Sequence, residues 1–177
     1  MVYYTVIRRE GKDRASKDEA RNAALRRLLP LFGVPGDAAV ARDENGRLYL
    51  PSCPRVDINL SHADPLTVLV AGDARVGVDL EREDRVRDPE GLARRFFTDR
   101  ERQAVLTAHD PKEAALGVWT RKEAMGKYIG TGLAKTLSLC TFSPPDGTAF
   151  YTRTFTWDGC RLALTVCAHE APKLIAP

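Results

Sequence analysis

Asp79 and Glu81 stand two residues apart in RVGVDLE (75–81), where Val76, Val78 and Leu80 alternate with Gly77, Asp79 and Glu81. Strict alternation predicts a half-buried strand, which places both carboxylates on one face, roughly 6.5–7 Å apart. Like charges that close repel unless water or a cation lies between them. On its own the pair reads as the solvent face of a strand. A third acid, Glu123, stands four residues before Lys127 in WTRKEAMGKYIGTGL. On a helix these two share a face, and an exposed pair of that kind contributes only about 0.2–0.5 kcal/mol. Together the two stretches suit more specific chemistry. If the helix packs beside the strand, Asp79, Glu81 and Glu123 make the set of hard oxygen ligands that magnesium takes alongside phosphate and water. Lys122 and Lys127 would offer charges to the same phosphate oxygens. Such equipment serves reactions at phosphorus, where positioning and charge neutralisation supply most of the catalysis.

Other polar residues read more plainly. Ser61 and His62 end the extended run VDINLSH (56–62), and a lone histidine is more often structural than catalytic. Glu101 follows Thr98 at capping-box spacing, which explains it without a function. Cys53, Cys140, Cys160 and Cys167 are scattered without a CxxC pair, so reduced thiols are expected. His62, His109 and His169 are too dispersed to suggest a histidine metal site.

The elements that must position these groups follow from periodicity. VYYTVIR (2–8) reads as a strand. Ser16 with Glu19 reads as a capping box opening a helix over Ala24, Leu25, Leu28 and Leu29, which Pro30 and Gly33 close. VDINLSH, LTVLVAG and RVGVDLE read as strands, the last two as a hairpin. A helical region ends in RRFF, a second opens at Thr98, and a third starts at Asp110-Pro111 and ends near Gly130. LSLCTF, AFYTRTFTW and RLALTVCA read as strands, with a turn at Asp158-Gly159. Helix and strand groups alternate irregularly, which predicts α+β rather than a doubly wound sheet.

With 177 residues, the chain suits one domain or two small halves. It is 44% hydrophobic and 29% charged, as expected of a folded soluble protein, and its net charge of +3 is weak for a nucleic-acid binder. The opening MVYYTVIRRE lacks a leader pattern and no apolar run reaches membrane-spanning length. A cytoplasmic protein that binds neither nucleic acid nor membrane is the expectation.

The motifs NLSHA (59–63), VGVDLE (76–81), FFTDRE (96–101), WTRKEAMGK (119–127) and GTGL (130–133) occur in that order. In this the chain resembles the 4'-phosphopantetheinyl transferases, specifically the larger single-chain, surfactin-synthetase-activating type, with a shortened N-terminal half. The resemblance implies two similar α+β halves related by a pseudo-twofold axis, here 1–74 and 75–177, with the active site in the cleft between them. It implies Asp79, Glu81 and Glu123 as ligands of magnesium, or of manganese in its place. Coenzyme A would be the co-substrate, with Lys127 and Lys122 near its pyrophosphate and Ser61 and His62 at its 3'-phosphate. Arg47 would lie on its nucleotide. Arg8, Arg9, Lys12 and Arg14 are candidates for the same phosphate, though a solvated turn explains them equally. Glu101 gains a supporting role that competes with capping.

The implied reaction is transfer of the phosphopantetheine arm to a serine of an apo acyl or peptidyl carrier protein of fatty-acid, polyketide or nonribosomal-peptide synthesis. The product besides the holo carrier is 3',5'-ADP. Glu123 would accept the serine proton, with Lys127 as the second catalytic residue. Arg94, Arg95 and Arg121 would steer the acidic carrier, and the enzyme would work as a monomer. A metal-dependent nuclease and a non-catalytic module that binds nucleotides or carriers are the alternatives.

Overall fold

The computed structural model describes residues 1–130 and 133–176. Thr131 and Gly132 of the expected GTGL motif lie outside the described residues. The chain is mixed α+β. Strand β1 (Val2–Arg8) leads into helix α1 (Arg14–Leu28), which a 3-10 turn (Leu29–Phe32) extends to Gly33. The two-residue strands β2 (Ala41–Arg42) and β3 (Leu48–Tyr49) pair with each other, and β4 (Asp57–Ala63) and β5 (Leu66–Gly72) follow. Next come β6 (Gly77–Arg82), α2 (Pro89–Phe96), α3 (Asp99–Leu106), α4 (Pro111–Ile129), α5 (Leu133–Thr136), β7 (Ala149–Trp157), β8 (Cys160–Ala168) and β9 (Lys173–Leu174).

The strands form a sheet ordered β4-β5-β1-β9 and a second ordered β6-β8-β7. In the first sheet β5 sits between β4 and β1, and in the second β8 sits between β6 and β7, each antiparallel to both its neighbours. The two sheets face each other. Val2, Tyr4, Leu66, Val68 and Val70 of the first sheet pack on Val78, Leu80, Leu162, Leu164 and Val166 of the second. The opposite face of the first sheet, with Ile58, Leu69 and Ala71, takes Ala24, Leu25 and Leu28 of α1. That of the second takes the cluster of Ala93, Val105, Leu116 and Val118 from α2 to α4. Layers thus run helix, sheet, sheet, helices. β5 is buried at every position because both its faces are covered, which is why LTVLVAG reads as a continuous apolar run.

Several expectations change. The hairpin partner of β5 is β4, and β6 crosses to the other sheet to pair with β8. β5 has no free edge left, since β4 and β1 occupy both. LSLCTF is no strand: the carbonyls of Leu137 and Leu139 and the Thr141 N–H bond to buried side chains described below, and the Leu139 N–H and Cys140 carbonyl close turns. α1 starts earlier than expected, capped by Asp13, whose side chain accepts from the Ser16 N–H at 2.8 Å. The helix caps at Thr98 and Asp110, and the stop at Gly130, stand as expected. So does the turn between β7 and β8, where Asp158 (φ 49°) and Gly159 (φ 72°) both take the left-handed conformation of tight hairpins.

Candidate active site

Asp79 and Glu81 lie on the face of β6 that looks away from the inter-sheet core, toward α4. Gly77 on this face permits the helix to approach. A Cβ there would stand 2.1 Å from the Ala124 carbonyl oxygen and 2.6 Å from the Tyr128 nitrogen. The glycine therefore admits helix backbone, and the room it leaves is already filled. Glu123 and Lys127, one turn apart on α4, are brought against the strand by that packing.

Asp79 is 6% exposed. Its Oδ1 accepts from Lys127 Nζ and from Ser61 Oγ, both at 2.8 Å, and Lys127 Nζ also donates to Ser61 Oγ at 2.9 Å. Burial pushes the Glu123 carboxyl above its ordinary range, and the charge of Asp79 adds to the push, with Lys127 opposing and Glu81 reinforcing. Glu81 is raised in the same way, by burial and then by Asp79, against a hydrogen bond from the Arg82 N–H at 2.9 Å. Glu81 and Glu123 thus both sense the charge of Asp79. Among the described residues no group of three or more His, Cys, Asp or Glu stands arranged to hold a metal ion as it is; the cation in direct contact with Asp79 is the Lys127 ammonium.

The strand β4 contributes more than the sequence suggested. Asp57, Asn59 and Ser61 alternate along one face and reach across to β6. Asp57 Oδ2 accepts from the Val76 N–H at 2.8 Å, and Asn59 Oδ1 from the Val78 N–H at 3.1 Å. Side chains, rather than a backbone ladder, stitch the two sheets together at this edge. Only Ser61 was singled out in the sequence, though the period-two pattern of Asp57, Asn59 and Ser61 within VDINLSH was there to be read.

Arg47 is part of the same seam. It is paired with Asp57, donates to the Lys127 carbonyl at the end of α4, and donates to the Val76 carbonyl at 2.8 Å. It also lines, with Arg42, Asn59, Glu123 and Lys127, a cavity of about 260 Å³.

Three expected site residues lie elsewhere. His62 points to the opposite face of β4 from Ser61, as neighbours on a strand must. Burial lowers its pKa first, and Lys17, Arg9 and Lys127 lower it further. Arg9, 3% exposed, pairs with Asp64 nearby, and its Nε and Nη1 have no hydrogen-bond partner among the described residues. Lys122 is fully buried and does not join the acids. Its ammonium lies 2.9 Å from Glu101 Oε2 and donates to the carbonyls of Leu137 (2.9 Å) and Leu139 (2.8 Å). Glu101 in turn accepts from Thr98, completing the capping box, and from the N–H and hydroxyl of Thr141 at 2.6 and 2.7 Å. Burial would raise the Glu101 carboxyl, but the Thr141 N–H, Lys122 and the other donors hold it below its ordinary range. This network is what turns LSLCTF into a strap rather than a strand. Glu101 is both cap and counter-ion.

Fold and site together define an α+β protein with an acid–lysine cleft where the edges of its two sheets meet under α4. Residues 75–170 match the 4'-phosphopantetheinyl transferase superfamily, and the chain belongs to it. It is 28% identical over 148 residues to the 4'-phosphopantetheinyl transferase psf-1 of Bacillus pumilus, an alignment covering 82% of this chain and 58% of that protein. It is 38% identical over 80 residues to the 4'-phosphopantetheinyl transferase HetI of Nostoc sp. strain PCC 7120, covering 44% of this chain and 34% of the relative. These alignments span between about a third and three fifths of the relatives' lengths. A solved structure, that of Thermotoga maritima holo-[acyl-carrier-protein] synthase, aligns over 54% of this chain and 64% of its own at 23% identity, with a TM-score of only 0.34. No helix among the described residues is long and apolar enough to cross a membrane.

Proposed function

We propose that this chain transfers the 4'-phosphopantetheine arm of coenzyme A to a serine of an apo acyl or peptidyl carrier protein, releasing 3',5'-ADP. Superfamily membership supports the reading, and the observation that carries it is the convergence of Asp79, Glu81, Glu123 and Lys127 beside a cavity. The halves 1–74 and 75–177 would be the two walls of the cleft, related by a pseudo-twofold axis; their shared strand order favours this.

The donor set suits a hard divalent cation. Burial and the charge of Asp79 raise the proton affinity of Glu81 and Glu123, and extra positive charge would relieve the repulsion that Lys127 only partly offsets at Glu123. Asp79, Glu81 and Glu123 would hold magnesium, which would neutralise charge building on the pyrophosphate. Lys127, already at the cluster, would hold the same phosphate oxygens. Ser61 positions Asp79 by its hydrogen bond. His62 and the buried Arg9, with two unpartnered N–H edges, would receive the 3'-phosphate. Lys122 and Glu101 position rather than touch substrate, because every Lys122 donor is already engaged.

The carrier serine Oγ attacks the β-phosphorus, a new P–O bond forms, and the P–O bond to 3',5'-ADP breaks. The serine proton passes to Glu123, whose proton affinity is raised by burial and by the charge of Asp79. Arg94 and Arg95 are exposed on α2 and would steer an acidic carrier, with an on-rate that falls as salt rises.

Intact-mass analysis of apo carriers incubated with the protein, coenzyme A and magnesium tests the reading. A gain of one phosphopantetheine arm, absent without metal and with Asp79→Ala, is expected. Coenzyme A binding without any gain across carriers of all three pathways would overturn it in favour of a binding module.

A further inference from the structure

The seam between the two sheets has a second edge, and there it is open. On the side away from the acids, β1 of the first sheet faces β7 of the second across a groove of about 540 Å³. Its floor is hydrocarbon: Val6 and Leu66 from the first sheet, Phe155 and Leu164 from the second. Trp157 and Leu174 stand at its mouth, 36% and 53% exposed. Two cations, Arg8 and Arg153, also line it, and its lining holds no acid. Neither guanidinium has a hydrogen-bonding or ion-pair partner among the described residues. A second, smaller cavity of about 300 Å³ shares Tyr4, Arg153 and Leu164 with the first, so the seam is open along much of this edge.

The volume is that of a small-molecule pocket, in the range of about 300–1,000 Å³. An apolar trough with cations and no anion fits an occupant with the reverse arrangement, an aliphatic chain ending in a negative head. A second copy of this chain fits poorly. A two-fold contact across this edge would bring Arg8 and Arg153 against their own counterparts with no acid to separate them. A flat bilayer fits poorly too, since the apolar surface is recessed and only Trp157 and Leu174 project.

We infer that the β1/β7 groove is a binding site for a single-chain amphiphilic anion, of which a fatty-acid carboxylate is the simplest. The chain would lie on Val6, Leu66, Phe155 and Leu164, and the head group would pair with Arg8 and Arg153. This site is separate from the acid–lysine cleft and does not rest on the transferase reading.

Dodecanoate below its micelle concentration is the probe, titrated into the whole protein by calorimetry and by tryptophan emission. Saturable one-to-one binding is expected, with an emission change that disappears in Trp157→Phe. Dodecanol should bind at least tenfold more weakly, and Arg153→Glu and Arg8→Glu should each cost about tenfold in dodecanoate affinity with unchanged melting temperature, Arg153→Glu also leaving coenzyme A binding unchanged. Equal affinity for dodecanol, or binding that survives both charge reversals, would overturn the head-group assignment and the proposal with it. So would the absence of saturable binding, Trp157 shielding that tracks a monomer–dimer equilibrium in sedimentation, or a response only to lipid vesicles.

Discussion

The two edges of the inter-sheet seam are built oppositely. At β4/β6, Asp57, Asn59 and Ser61 reach across and close the seam with hydrogen bonds, so that acids and a lysine collect in a polar cleft under α4. At β1/β7 the facing side chains are Val6, Phe155 and Trp157 with Arg8 and Arg153, no hydrogen bond crosses among the described residues, and the sheets stand apart around a largely apolar groove. β4 and β1 flank β5 in the first sheet as β6 and β7 flank β8 in the second, so both edges of the seam join strands of the same kind. One backbone plan therefore supports a charged site or an apolar one, according to the side chains at alternate positions. Fold alone assigns neither function.

Glu123→Gln is the change expected to separate the edges most. Replacing the proposed base should lower transfer by about 10²–10⁴-fold, while Phe155→Ser on the other edge should leave single-turnover rates within a factor of two. Comparable losses from both would mean that the edges are not functionally distinct.

The buried pair behind the polar edge comes next. Glu101→Gln leaves Lys122 as an uncompensated buried charge and should cost about 3–5 kcal/mol in denaturant unfolding. The double change with Lys122→Met should recover most of that loss, and a double variant as unstable as the single one would refute pairing as the cause. The same pair sets an acid limb. Because the folded Glu101 carboxyl lies below its ordinary value of 4.5, its contribution is present above that value and is lost as pH falls through the lowered one. Melting temperature should therefore drop below about pH 4.5 more steeply in the wild type than in the double variant.

A smaller effect tests the stitching. Asn59→Ala leaves the Val78 N–H unpaired in a buried place and should cost about 1–3 kcal/mol, whereas Thr154→Ala on the open edge should stay within about 0.5 kcal/mol. Equal costs would remove the contrast between a closed and an open seam.

Much was legible beforehand where the signal is local. Asp110-Pro111 and Gly130 bound α4, Thr98 caps α3, and Asp158-Gly159 turns the last hairpin, because caps and turns are decided within a few residues. The alternation of Val76, Val78 and Leu80 with Gly77, Asp79 and Glu81 placed both acids on one face, since strand geometry allows nothing else. The period-two reading could not tell that β6 would leave β5 for β8, because the choice depends on which edges are free.

Lys122 shows the limit most clearly. From its type and place beside Glu123 it reads as a phosphate contact, and its helix is as expected. Whether its ammonium meets substrate or Glu101 depends on a strap 15–17 residues further on, whose largely apolar sequence LSLCTF reads as a strand. Gly77 is a parallel case: a small residue beside two acids says that something comes close, but only the packing of α4 says it is helix backbone. The sequence by itself determined the element boundaries, the shared face of Asp79 and Glu81, and the turn that joins Glu123 to Lys127, all set by short-range sterics and periodicity. Tertiary structure alone decided which polar groups meet and which edge of the seam stays open, because partner choice in a buried polar network is settled by distant segments competing for the same donors and acceptors.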